Sequence, residues 1–130
     1  MLPHDKKAGN GFISRLKSDG RLELKWANEN LNAPKGLFCN GDTLWVTDID
    51  EVKSFNSKTG AWISTVKISG SEFLNDITVN EAGDVFVTDS GLNSKGESSG
   101  GNKDAVYKIT DGKVSTVKKS MDLQIPNGIY

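Results

Sequence analysis

The sequence predicts an all-β fold built from a repeated four-stranded antiparallel unit, the organisation of a β-propeller blade, and three observations lead to it. First, Leu44-Trp45-Val46-Thr47-Asp48 returns as Val85-Phe86-Val87-Thr88-Asp89, a shift of 41 residues. The strand openings repeat as well: Pro34-Lys35-Gly36-Leu37 is followed 40 residues later by Leu74-Asn75-Asp76-Ile77, and Pro126-Asn127-Gly128-Ile129 comes 52 residues after that. Second, short β-branched and aromatic runs are separated by Gly, Asn and Asp, the residues that hairpin turns require. Third, no stretch of helical periodicity carries a cap at both ends, so no helix is expected.

In chain order, residues 1–9 read as a loop. Residues 10–26 supply only the two outer strands of a unit, Phe12-Ile13-Ser14-Arg15-Leu16 and residues 22–26, joined at Ser18-Asp19-Gly20. Residues 33–68 form a whole unit and residues 74–119 a second, with outer strands at Glu51-Val52-Lys53-Ser54-Phe55 and Ala105-Val106-Tyr107-Lys108-Ile109 in matching places. Residues 74–91 hold one complete hairpin. Ile77 and Val79 alternate with polar residues, and Asn80-Glu81-Ala82-Gly83-Asp84 is turn chemistry in which Gly83 can take positive φ. Two strands joined by one turn begin and finish at the same end, so Asn75-Asp76 are expected beside Asp89-Ser90 at a polar mouth. The loop 91–104, rich in Gly, Ser and Asn, accounts for most of the longer interval. Residues 125–130 read as the first strand of a further unit. The chain is therefore expected to be an incomplete propeller: a piece of a longer protein, or one that associates with other copies through open edges at residues 12–16 and 125–130.

Composition narrows the function. With 16 basic and 17 acidic residues interleaved, and a net charge of -1, the chain lacks the basic face of a nucleic-acid binder. No apolar run approaches the ~20 residues of a membrane span, and residues 1–7 contain no apolar core of a signal peptide, which leaves a cytoplasmic or periplasmic home open. Cys39 is the only cysteine and His4 the only histidine. An internal disulfide and Cys-His or Ser-His-Asp nucleophilic catalysis are thereby set aside, and Cys39 is expected to be buried or to line a turn.

The run Leu74-Asn75-Asp76-Ile77-Thr78-Val79, then Gly83-Asp84-Val85-Phe86-Val87-Thr88-Asp89, then Pro126-Asn127-Gly128-Ile129, resembles the gluconolactonase, regucalcin (senescence marker protein) and paraoxonase superfamily. Its members are six-bladed propellers, many of them calcium-dependent lactonases or esterases. The resemblance covers about 120 residues of this chain and about half of such a domain, hence about three of six blades. It implies that Asn75 and Asn127 reach a divalent cation in a central channel, where carboxamide oxygens suit a hard ion such as Ca2+. It also implies that the family's acidic ligands lie outside these residues, since Pro34-Lys35-Gly36 offers no carboxylate, so cation binding by this chain alone is expected to be weak or absent. Such an ion polarises the carbonyl of a lactone or ester and stabilises the oxyanion, with no need of a serine nucleophile. Asp76, Asp89 and Ser90 would line the substrate rim, with the loop 91–104 as a lid. No general base is identified.

The same residues support a plainer reading. Asn and Asp at strand ends bond their own backbone in turns, and the shared ending Val-Thr-Asp favours a turn role for Asp48 and Asp89. Trp26, Trp45 and Trp62 read as packing between units. Lys53, Lys67, Lys108 and Lys118 read as a solvated face. The repeats also resemble NHL-type propellers, which are often non-catalytic binding platforms, and that is the alternative function.

Overall fold

Ten antiparallel strands form three sheets in the computed structural model, which describes residues 7–130. Strands β1 (Ile13–Leu16) and β2 (Leu22–Ala27) make a two-stranded sheet. Strands β3 (Pro34–Asn40), β4 (Thr43–Asp48), β5 (Glu51–Asn56) and β6 (Trp62–Lys67) form a four-stranded meander. Strands β7 (Leu74–Val79), β8 (Val85–Asp89), β9 (Ala105–Thr110) and β10 (Lys113–Lys119) form another in the same order. Each hairpin closes where the turn residues stand. Gly83 turns β7 into β8 at a φ of 86°, and Gly41 turns β3 into β4 at 59°, backbone that favours a residue with no Cβ.

The two meanders share the register of their first three strands. Trp45 pairs with Ser54 and Val46 with Lys53, as Phe86 pairs with Lys108 and Val87 with Tyr107. Successive side chains on a strand point to opposite faces, so Trp45 and Val46 serve two different cores. Val46 and Phe55 pack with Ile13, Ala27 and Leu31 between the first and second sheets. Val52 and Ile68, with Trp45 and Phe38 against them, pack with Leu74, Ile77, Val85, Val87, Tyr107 and Ile109 between the second and third. The middle sheet is thus covered on both faces. That explains why Leu44-Trp45-Val46 is a continuous apolar run rather than an alternation.

Four expectations change. Residues 125–130 belong to no strand, although their backbone is held against the third sheet. The only helical turn among the described residues is a single 3-10 turn, Met121–Leu123, capped by the Ser120 side chain. Lys53 is not on a solvated face: it is 2% exposed, because it shares the face of Phe55 two residues on, where a core forms. Trp62 does not pack between units; it is 40% exposed on the outer strand β6, with its indole N–H donating to Thr65 Oγ1 at 3.2 Å. Trp26 and Trp45 do pack against the two cores. Cys39 takes the turn-lining alternative, exposed and 3.6 Å from the Gly41 carbonyl. His4 lies outside the described residues.

Candidate functional site

The mouth is assembled by two threonines. The Gly36 N–H donates to Thr47 Oγ1 at 2.8 Å, and the same hydroxyl donates to the Asn75 carbonyl at 2.6 Å. One repeat later the Asp76 N–H donates to Thr88 Oγ1 at 3.0 Å, and that hydroxyl donates to the Asn127 carbonyl at 3.0 Å. A hydroxyl can accept and donate at once, so each buried threonine fastens the first strand of its own sheet to the opening motif of the next repeat, Asn75 in β7 and Asn127 after β10. Gly36 permits this closeness: a Cβ there would lie 2.5 Å from the Asn75 carbonyl oxygen and 2.7 Å from Asp76 Cα.

Around this bracket the expected residues gather unequally. Asn75 donates its amide N–H to Ser90 Oγ at 3.0 Å, and Ser90, fully buried, donates onward to the Pro126 carbonyl at 2.7 Å. Asp76, half-buried, accepts the Ile129 N–H at 3.0 Å. Asn127 is exposed, held by its backbone to Thr88. Asn75, Asp76, Ser90 and the backbone of residues 126–129 therefore form one connected network, and with Nδ2 of Asn75 engaged, its carboxamide oxygen is the end left to meet a cation. Asp89 stands apart. Fully buried, it accepts the N–H groups of Glu72, Phe73 and Gly91 at 3.0, 3.0 and 2.9 Å, a turn role. Asp48 does the same for Asn32 and Ala33 at 2.9 and 2.6 Å.

Tyr107, Glu72 and Asp104 matter here without having been expected at the mouth, and so does Lys53, which the sequence placed on a solvated face. The Lys53 ammonium lies 2.7 Å from Asp48 and 3.3 Å from Glu51, and also donates to the Asn30 carbonyl. Tyr107 occupies the equivalent position one sheet on. Its buried hydroxyl has no hydrogen-bond partner among the described residues, and burial, with the charge of Asp89 added, pushes its pKa up. Glu72 binds Ser99 and, at 3.1 Å, Lys103, which fastens the loop 91–104; those contacts, Ser99 first, hold its carboxyl below the usual range. Asp104, also buried, accepts the Ile125 N–H at 2.8 Å and so seats the residues that lead to Asn127. Strand parity was the available signal for Lys53 and Tyr107. For Glu72 and Asp104, which act across loops, sequence spacing holds none.

As a cation site the donor set is thin. Among the described residues no group of three or more His, Cys, Asp or Glu is placed to hold a metal ion. Asp89 is engaged by backbone N–H groups and Asp76 accepts one, which leaves two neutral carboxamides where Ca2+ takes about six to eight oxygens and gains affinity from carboxylate charge. The residues present do not by themselves fit the ion.

Fold and mouth define an all-β repeat protein in which successive sheets are joined by threonine brackets beside a small polar network. No family model matches the chain, and no curated protein matches it. No helix among the described residues is long and apolar enough to cross a membrane.

Proposed function

We propose that these sheets are blades of a six-bladed propeller of the gluconolactonase-like kind, a hydrolase of lactones or esters that uses Ca2+ or another divalent cation in its intact form. The observation that supports the reading is the network joining Asn75, Ser90 and residues 126–129, in which the Asn-bearing opening of one repeat lies beside the recurrence of that motif after the third sheet. Asn75 and Asn127 are then neutral ligands, and Asp76 and Ser90 position them from the rim. Carboxylates from elsewhere in the ring complete the site, so the 130 residues alone bind the ion weakly or not at all. Asp89 acts as a turn residue within the rim.

The test is hydrolysis of small lactones and aryl esters by the native gene product, with Ca2+ and after chelation, beside Asn75→Ala and Asn127→Ala. Activity that needs the cation and falls at least about tenfold in both variants supports the reading. Hydrolysis indifferent to chelation removes the cation. Complete absence of hydrolysis leaves the NHL-type binding platform, which the engagement of Asp89 by three backbone N–H groups, and of Ser90 by the Asn75 amide and the Pro126 carbonyl, favours.

A further inference from the structure

A bulge in β6 re-aims Trp62. Ser64 pairs with Ser54 but Trp62 pairs with Phe55, so Ile63 is an extra residue, and Trp62 points to the same side of the sheet as Thr65 and its partner Lys53. The indole lies along that side, its N–H donating to Thr65 Oγ1 at 3.2 Å, and 40% of the residue stays exposed. Trp62 and Thr65 form one wall of a groove of about 560 Å³, a size within the range of about 300–1,000 Å³ usual for small-ligand clefts. Lys53 and Glu51 of β5 line it, with Asn30 and Asn32 from the loop after β2 opposite. None of these residues belongs to the network at the mouth.

We propose that this groove binds a neutral saccharide, with one face of a pyranose ring stacked on Trp62. The ligand class follows from the chemistry of the walls. With its N–H engaged by Thr65, the indole offers its electron-rich face, and the C–H bonds of a pyranose face carry the partial positive charge that such a face attracts. The charges that line the groove are already matched: Lys53 by Asp48 at 2.7 Å and by Glu51 at 3.3 Å, and Lys7 by Glu51 at 2.9 Å. A phosphate or carboxylate would meet no unmatched cation there, so an ionic ligand gains little. What remains is neutral hydrogen-bonding capacity of both signs. The Asn30 carboxamide has no partner among the described residues, the Thr65 hydroxyl accepts from the indole and can still donate, and each Glu51 oxygen can accept a further bond. Sugar hydroxyls donate and accept in the same way. The inference goes beyond the hydrolase reading and needs neither its cation nor its residues.

The experiment is an NMR titration of the native gene product, isotope-labelled at tryptophan and kept in EDTA so that a metal plays no part. The probes are neutral trisaccharides of glucose, of galactose and of N-acetylglucosamine, with glucuronate and AMP as charged comparisons. The indole N–H resonance that vanishes in Trp62→Phe is expected to move with at least one neutral probe, at a Kd no weaker than about 10 mM, while those of Trp26 and Trp45 stay in place. Trp62→Ala is expected to weaken binding at least about tenfold. Asn30→Gly removes the carboxamide while suiting the φ of 58° at that position; it is expected to weaken binding several-fold and decides the case should Trp62→Ala lose its β-type circular dichroism. No movement of the Trp62 resonance with any neutral probe, binding indifferent to both variants, or tighter binding of either charged compound overturns the proposal, and cation-dependent hydrolysis at the mouth is judged separately.

Discussion

Lys53 and Asp48 are opposite charges taken out of water together. The pair lies with side chains 3% and 0% exposed, and Asp48 is also the turn residue that holds Asn32 and Ala33. Removing one member of such a pair leaves the other charge buried alone, which costs about 3–5 kcal/mol. Lys53→Met is expected to lower unfolding free energy by that order, read from the urea midpoint, whereas Lys118→Met on exposed β10 should leave it unchanged. Asp84 gives a pH signature. A hydrogen bond from Lys108, with further bonds from Thr110 and Asn80, lowers its pKa from 3.8 to about 2. A carboxyl depressed in the folded state contributes stability that is fully present above 3.8 and is lost as pH falls toward about 2. Asp84→Asn should therefore flatten the stability curve in that interval and leave its slope near neutral pH unaltered.

At the scale of elements, the threonine brackets explain how a segment that forms no strand is still placed. Residues 125–130 are held by Thr88, Ser90, Asp76 and Asp104, not by a sheet ladder. Thr88→Val keeps shape and volume but leaves the Asp76 N–H and the Asn127 carbonyl without that partner. A fully buried group left unpaired costs about 1–3 kcal/mol, and for these part-buried groups the cost falls at the lower end, about 1 kcal/mol. The expected outcome is loss of that order in stability together with faster hydrogen exchange at the Ile129 amide, measured by NMR. A unit that depended on strand pairing alone would not show the second effect.

For the whole molecule, stability is distributed between sheets as much as within them. The first sheet is a lone hairpin, marginal in water by itself, and it is ordered by packing on Val46 and Phe55. Phe55→Ala empties the middle of that contact, where such truncations cost about 3–5 kcal/mol. Amides of β1 and β2 should then exchange well before those of the third sheet, whose core with Val52 and Ile68 is untouched. Uniform acceleration in all three sheets would show instead that the stack unfolds as one unit.

The ten strands, their hairpins and the repeat were legible in the sequence because side-chain period and turn chemistry are local: Gly83 announces its turn, and Val-Thr-Asp announces the end of a strand. The convergence of Asn75-Asp76 with Ser90 was legible for the same reason, since a hairpin returns to where it began. What only the tertiary structure decided was the use of each face. Lys53 reads as an outward charge until its face is seen to meet the first sheet, and Asp89 reads both as a rim residue and as a turn residue until three N–H groups are found around it. Residues 125–130 read as a strand, but ladder bonds need a neighbour, and at this end brackets from Thr88 and Ser90 take their place. Local periodicity specifies that a strand has two faces; which of them is buried depends on what packs there, and that is a property of residues far apart in the chain.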